Sequence, residues 1–189
     1  VPIANNGGSN SVAVAEHALM LMLATMRKLV TQHRNVVSGR WRGPDAASFV
    51  TYELEGRTLG IIGLGTIGKE VARGAKAVGM AVQYYGIVRR TEDQEDALGV
   101  RFKLRQEVLA TSDIVSLHVP LTPASRDMIG EAELAFKEPA ATEIYTARGP
   151  LVQEAALHRA LTSGTIAGAG ADVLVEEPPP QNHSFFALE

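Results

Sequence analysis

Apolar residues recur at helical spacing through residues 12–37 with no glycine or proline among them, so this stretch predicts one long helix. Val14, Ala18, Leu19, Leu21, Met22, Leu23 and Met26 spread apolar side chains around much of its circumference, more than a surface helix needs. That excess fits core packing or a subunit interface. Residues 5–11, rich in Gly, Asn and Ser, and residues 39–44, around the single Trp41, read as loops. At Thr58 the pattern changes. Residues 58–62 are a short Leu- and Ile-rich run, a glycine turn follows, and residues 67–78 place Ile67, Val71, Ala75 and Val78 on one face: strand, turn, helix.

Further strands are predicted at 80–85, at 113–119 (stopped by Pro120 and Pro123), at 141–146, and at 166–173, where glycines interrupt the run. Helices are predicted at 104–110 and at 152–163, the latter closed by Gly164. Strands alternating with helices through short connections imply an α/β, doubly wound, mostly parallel sheet with helices on both faces, plus the long N-terminal helix. Residues 57–189 carry this pattern, and residues 1–56, the helix and a crossover loop, are assigned to the same domain.

Composition narrows the function. A chain of 189 residues with 46% hydrophobic content buries one substantial core, and two full domains would be cramped. The net charge of −3 and the absence of any basic cluster larger than Arg89-Arg90 argue against nucleic acid as a partner. No cysteine is present, which excludes disulfides, thiolate zinc sites and cysteine nucleophiles and suits a reducing cytoplasm, the expected location. The apolar run 18–24 is interrupted upstream by Glu16 and His17 and is too short to cross a bilayer, so no membrane partner is expected. Residues 1–10 lack the basic start of a signal peptide, and the chain reads as cut from something longer. The histidines at 17, 33, 118, 158 and 183 lack a paired helical spacing, so no metal site is expected.

The turn Gly63-Leu64-Gly65-Thr66-Ile67-Gly68 is the strongest chemical signal. With glycine at 18 of 189 positions, a G-x-G-x-x-G match alone carries little weight, but this one ends an apolar strand and opens a helix. There the first glycine permits the tight turn, the second lets backbone approach a diphosphate, and the third lets helix meet strand. Free N–H groups at the helix start, Thr66 and Ile67 among them, then face the phosphates of a nicotinamide dinucleotide. An acidic residue is expected about 20 positions on to accept from the ribose hydroxyls. Gly86 follows the second strand instead, with Arg89 and Arg90 nearby, so NAD and NADP both stay open.

Five collinear blocks carry a family resemblance: Asn10-Ser11-Val12-Ala13-Val14-Ala15-Glu16-His17-Ala18, Gly60-Ile61-Ile62-Gly63-Leu64-Gly65-Thr66-Ile67-Gly68, Asp113-Ile114-Val115-Ser116-Leu117-His118-Val119-Pro120-Leu121-Thr122, Thr146-Ala147-Arg148-Gly149 and Ala167-Gly168-Ala169-Gly170-Ala171-Asp172-Val173. Together they resemble the D-isomer-specific 2-hydroxyacid dehydrogenases across nearly the whole chain. The resemblance implies a Rossmann-type cofactor domain whose flavodoxin-like substrate domain is absent here, and a first long helix that often forms a homodimer. It implies hydride exchange between NAD(P) and a small D-2-hydroxy or 2-keto acid. Arg148 then binds the substrate carboxylate through its planar fork and polarises the reacting carbonyl. Glu177 orients an acid-base histidine and raises its pKa. Gly63, Gly65, Thr66, Ile67, Gly68, Val119, Pro120, Thr146, Ala147 and Asp172 line the cofactor, with Asp172 at the nicotinamide amide or ribose. The family's histidine lies in a T-P-H segment that does not occur before Glu189, while His118 and His183 stand elsewhere, so the isolated chain is expected to bind cofactor without turnover.

Four positions depart from the family pattern. Gly86 replaces an acid. Thr142 and Glu143 stand in a strand where the family has apolar residues, so that strand is exposed or poorly ordered, or else Glu143 is paired or protonated. Tyr145 replaces a small polar residue beside the expected cofactor path, where its bulk would crowd the nicotinamide. Two alternatives follow: a non-catalytic, cofactor-sensing dimerisation module of the co-repressor kind, and a domain that has lost its cofactor.

Overall fold

A computed structural model describes residues 8–41 and 50–188; the predicted loop residues 5–7 and 42–44 lie outside the described residues. The described strands are β1 (Thr58–Ile62), β2 (Ala81–Tyr85), β3 (Val100–Phe102), β4 (Ile114–Leu117), β5 (Thr142–Tyr145) and β6 (Gly168–Ala171). They form one sheet in the order β3-β2-β1-β4-β5-β6, and every neighbouring pair is parallel. This is the order of the doubly wound dinucleotide-binding fold. The helices are α1 (Ser11–Met26), α2 (Leu29–Val37), α3 (Thr66–Ala77), α4 (Glu92–Leu98), α5 (Arg105–Thr111), α6 (Glu131–Ala135) and α7 (Glu154–Thr162).

Strand alternation sends side chains into two cores, one on each face. Leu59 and Ile61 of β1, Ile114 of β4 and Ile144 of β5 join Val71 and Ala75 of α3 with Ala18 and Met22 of α1. Ile62, Val115, Leu117 and Tyr145 join Val108, Leu109, Leu134 and Leu157 on the opposite face. Gly60 is required on that second face, because a Cβ there would run into Val108 of α5 and Ser112 just after it.

The predicted N-terminal helix stops sooner than its sequence pattern. It runs 16 residues to Met26, turns at Lys28 in the left-handed conformation (φ 49°), and restarts as α2, which buries no residue. Nothing local forces this. The Met26 carbonyl accepts from the Tyr52 amide at 3.1 Å, a partner far along the chain, and the apolar stripe of α1 has reached the end of the sheet it covers. Element α4 was missing from the predicted pattern because it has no apolar stripe, although Thr91 and Gln94 form a capping box and Gly99 closes it.

Glu143 is neither exposed nor in a disordered strand. It is fully buried on β5, facing α6, and its carboxylate lies 2.7 Å from Nζ of Lys137, itself buried just past that helix. The pair is close but not aligned as a hydrogen bond, so neither Nζ nor either carboxylate oxygen has a hydrogen-bond partner among the described residues. Burial pushes the Glu143 carboxyl above its ordinary value, and the Lys137 ammonium opposes that rise.

Candidate functional site

Because all six strands are parallel, their carboxyl ends share one edge of the sheet, and the residues nominated from sequence collect there. Gly63 to Gly68 follow β1; Val119 and Pro120 follow β4; Thr146, Ala147 and Arg148 follow β5; and Asp172 follows β6. The strand order reverses between β1 and β4, the crevice where open sheets of this kind bind ligands.

At Gly63 the backbone has φ 102°, and a Cβ would stand 2.6 Å from the His118 carbonyl oxygen. Its amide donates to the Tyr85 carbonyl at 2.8 Å, which anchors the loop. The next amides, of Leu64, Gly65, Thr66 and Ile67, have no acceptor among the described residues. A Cβ on Gly65 would meet nothing within 4 Å, so open space lies over those amides. Gly68 lacks a side chain where the Gly63 carbonyl occupies the room. Twelve-residue α3 adds the partial positive charge of its N-terminus. This cradle fits an anionic diphosphate.

At the end of β2, Gly86 offers no side-chain acceptor, and Ile87 and Val88 are exposed. Arg89 and Arg90 already have protein partners. Arg89 Nε lies 3.1 Å from the carboxylate of Glu95, which is only 3% exposed, and its guanidinium covers the Phe102 ring. Burial alone would raise the pKa of Glu95, but Arg89, the Tyr84 hydroxyl and the Phe102 amide outweigh it and hold the carboxyl below its ordinary value. Arg90 donates through Nη2 to the Leu64 carbonyl at 2.8 Å, fastening the cofactor loop from behind. Sequence reasoning missed that role, because only the fold brings residues 64 and 90 together.

Thr146 is buried, and its hydroxyl lacks a partner among the described residues, an orphan acceptor and donor at the strand end. Arg148 is exposed; Nη1 reaches the Ala147 carbonyl at 2.6 Å, and no ion pair holds the guanidinium among the described residues. Gly149 lets the backbone pass against Leu174, whose carbonyl a Cβ would overlap. Leu174 in turn donates its amide to Glu177 Oε1 at 2.9 Å, so the segments bearing Arg148 and Glu177 are drawn together. Asp172 is exposed and lies 3.2 Å from Nε2 of His17 on α1, a second neighbour that the pattern did not disclose.

Tyr145 does not crowd the site. It is fully buried in the second core, where burial, then the charges of Glu154 and Glu143, push its phenol above the ordinary range. His183 is also structural: Nε2 sits 3.3 Å from Glu154, and its ring meets Phe185 edge-on. His118 lies beneath the loop with Nε2 2.8 Å from the Ser116 hydroxyl, and burial lowers its pKa to about 4. It is therefore neutral at neutral pH. The unfolded chain takes up this proton near pH 6.5 and the folded chain only near 4, so stability held above pH 6.5 is lost as pH falls through that window. Allowing for some solvent access, the loss is on the order of 2 kcal/mol. An NMR titration of the imidazoles should show His118 unprotonated at pH 5.5; a midpoint near 6.5 would refute it.

A parallel sheet in this order, with unspent amides at its reversal point and, among the described residues, a guanidinium outside any ion pair at the same edge, defines a dinucleotide-binding domain. The model of the D-isomer specific 2-hydroxyacid dehydrogenase NAD binding domain matches residues 19–189, and the chain belongs to that family. It is 42% identical over 188 residues to a glyoxylate reductase of Korarchaeum cryptofilum, covering 99% of this chain and 56% of the relative. Among solved structures, D-mandelate dehydrogenase of Rhodotorula graminis superposes with a TM-score of 0.91 at 32% identity, over all of this chain and 56% of that one. The NAD-dependent formate dehydrogenase of Staphylococcus aureus, solved with NAD, superposes with a TM-score of 0.88 at 32% identity, over 96% of this chain and 53% of that one. The chain thus spans about half the length of these relatives. All three are reductases or dehydrogenases, and none supports the cofactor-sensing alternative.

Proposed function

We propose that this chain is the cofactor-binding half of an NAD-dependent reductase of small 2-keto acids, with glyoxylate the first substrate to test. The observation that carries the proposal is the row of unspent amides from Leu64 to Ile67 at the start of α3. Those amides hold the diphosphate, with Gly63, Gly65 and Gly68 giving the room; Val119, Pro120, Thr146, Ala147 and Asp172 flank the nicotinamide half. The dinucleotide supplies the hydride. Arg148 takes the substrate carboxylate in its fork and stabilises charge growing on the carbonyl oxygen. Glu177, steadied by the Leu174 amide, orients the acid-base histidine of the full-length protein. Residues 1–56 are read as part of the same unit, because α1 lies in its core.

NAD is favoured over NADP because the matching family model is that of an NAD binding domain, and Arg89 and Arg90 each already hold a protein partner, Glu95 through Nε and the Leu64 carbonyl through Nη2. Fluorescence titration should show tighter binding of NADH than of NADPH. Gly86→Asp should widen that preference about tenfold, the worth of one charge-assisted hydrogen bond. The new side chain has space, since a Cβ at Gly86 would meet only the Val88 carbonyl, at 3.6 Å. Failure to bind either dinucleotide would defeat the proposal, and tighter NADPH would defeat the reading of the arginines.

The homodimer is part of the same proposal. Met20, Leu23, Leu29 and Val30 leave an exposed apolar face across α1 and α2, which suits a second copy of the chain. Light scattering should return twice the chain mass, with Leu23→Glu returning the monomer. Among the described residues no helix is long and apolar enough to cross a membrane. The cytoplasmic setting is proposed on the absence of cysteine alone.

A further inference from the structure

Helix α1 and strand β6 meet in matching steps. Thr25 and Leu21 of α1 pack over Gly168 and Gly170 of β6, where glycine leaves the room: a Cβ would stand 2.8 Å from the Thr25 methyl or 3.1 Å from the Leu21 Cβ. Four residues of helix advance about 6 Å and two residues of strand about 6.6 Å, so the next step of the stripe pairs residue 17 with residue 172. There His17 Nε2 lies 3.2 Å from Asp172 Oδ1. The Asp172 amide is held as well, donating to the Tyr145 carbonyl at 3.2 Å.

Both side chains are substantially exposed, 39% and 49%, and an ion pair so open contributes little to folding. What it fixes is direction. With Nε2 set 3.2 Å from one carboxylate oxygen, the imidazole leaves the other for a donor at the carboxyl end of β6. We propose that His17 is a positioning residue that aims Asp172 at the nicotinamide amide of the cofactor, so that α1, outside the sheet, takes part in cofactor binding. This rests on the reading of Asp172 given above.

The test compares NAD+ with ADP-ribose, which keeps the adenosine, diphosphate and second ribose but lacks nicotinamide, by calorimetric titration of the chain. His17→Leu should weaken NAD+ about fivefold and leave ADP-ribose unchanged, and His17→Gln, which restores an N–H donor, should recover most of the loss. Asp172→Asn should weaken NAD+ selectively, and the double variant His17→Leu/Asp172→Asn should bind no worse than Asp172→Asn alone. A selective loss in Asp172→Asn with none in His17→Leu overturns the proposal. So does an equal loss of both ligands in His17→Leu, the mark of a merely structural residue. If Asp172→Asn binds NAD+ like the parent, the reading of Asp172 is what fails, and the role of His17 fails with it.

Discussion

Lys137→Met alone destabilises the folded chain by about 3–5 kcal/mol at pH 8, and adding Glu143→Leu restores the loss. The two groups are fully covered and, among the described residues, each has the other as its only ion-pair partner, so removing one strands the other in an apolar layer. Removing both substitutes apolar side chains of similar size, an exchange that is often neutral or favourable. A proton gives the single variant a partial escape. With the ammonium gone, nothing opposes the burial that raises Glu143, so the folded state holds a proton that the unfolded state releases above pH 4.5. Stability of Lys137→Met is therefore greatest at and below that pH and falls as pH rises through the elevated folded value. Urea denaturation of the parent, both single variants and the double variant at pH 5 and pH 8 checks this. Additive single losses in the double variant would show that the charges are not coupled.

Gly63→Ala should cost about 3 kcal/mol and abolish measurable NADH binding. The backbone there has φ 102°, which an L side chain adopts at a cost of about 1–2 kcal/mol, and the methyl would sit 2.6 Å from the His118 carbonyl oxygen and 2.7 Å from Val119 Cγ1. Relieving that overlap adds about 1–3 kcal/mol and moves the loop away from its anchor on Tyr85. Gly65→Ala should behave differently. Its φ is −81° and the space around it is open, so folding should change by less than about 1 kcal/mol while NADH affinity falls, because the methyl takes the room meant for the diphosphate. Thermal melts paired with NADH titration separate the two cases. Unimpaired NADH binding by Gly65→Ala would mean that the diphosphate does not lie over this loop.

Much of the fold was legible because its signals are local and strong. The predicted strand at 58–62 matches β1 residue for residue, and the strands at 113–119 and 141–146 contain β4 and β5 with one or two residues to spare at each end. Short, apolar, β-branched runs between turn residues leave few other conformations. The three-residue β3 and the polar α4 escaped, since neither carries an apolar period long enough to read. The pattern leaves Glu143 without an evident partner in its strand, because Lys137, which pairs with it, stands six residues back in the chain and across a layer of the fold.

The sequence by itself determined the alternation of strand and helix, the glycine cradle, and the family that five collinear blocks point to, because each depends on residues a few positions apart. The tertiary structure decided what the polar side chains do: which arginines are already spent, that Tyr145 is core, that Arg90 fastens the loop at Leu64, and that His17 meets Asp172. Such pairings join residues 6 to 155 positions apart, and the energy of the distant ones exists only once the sheet has fixed both partners in space.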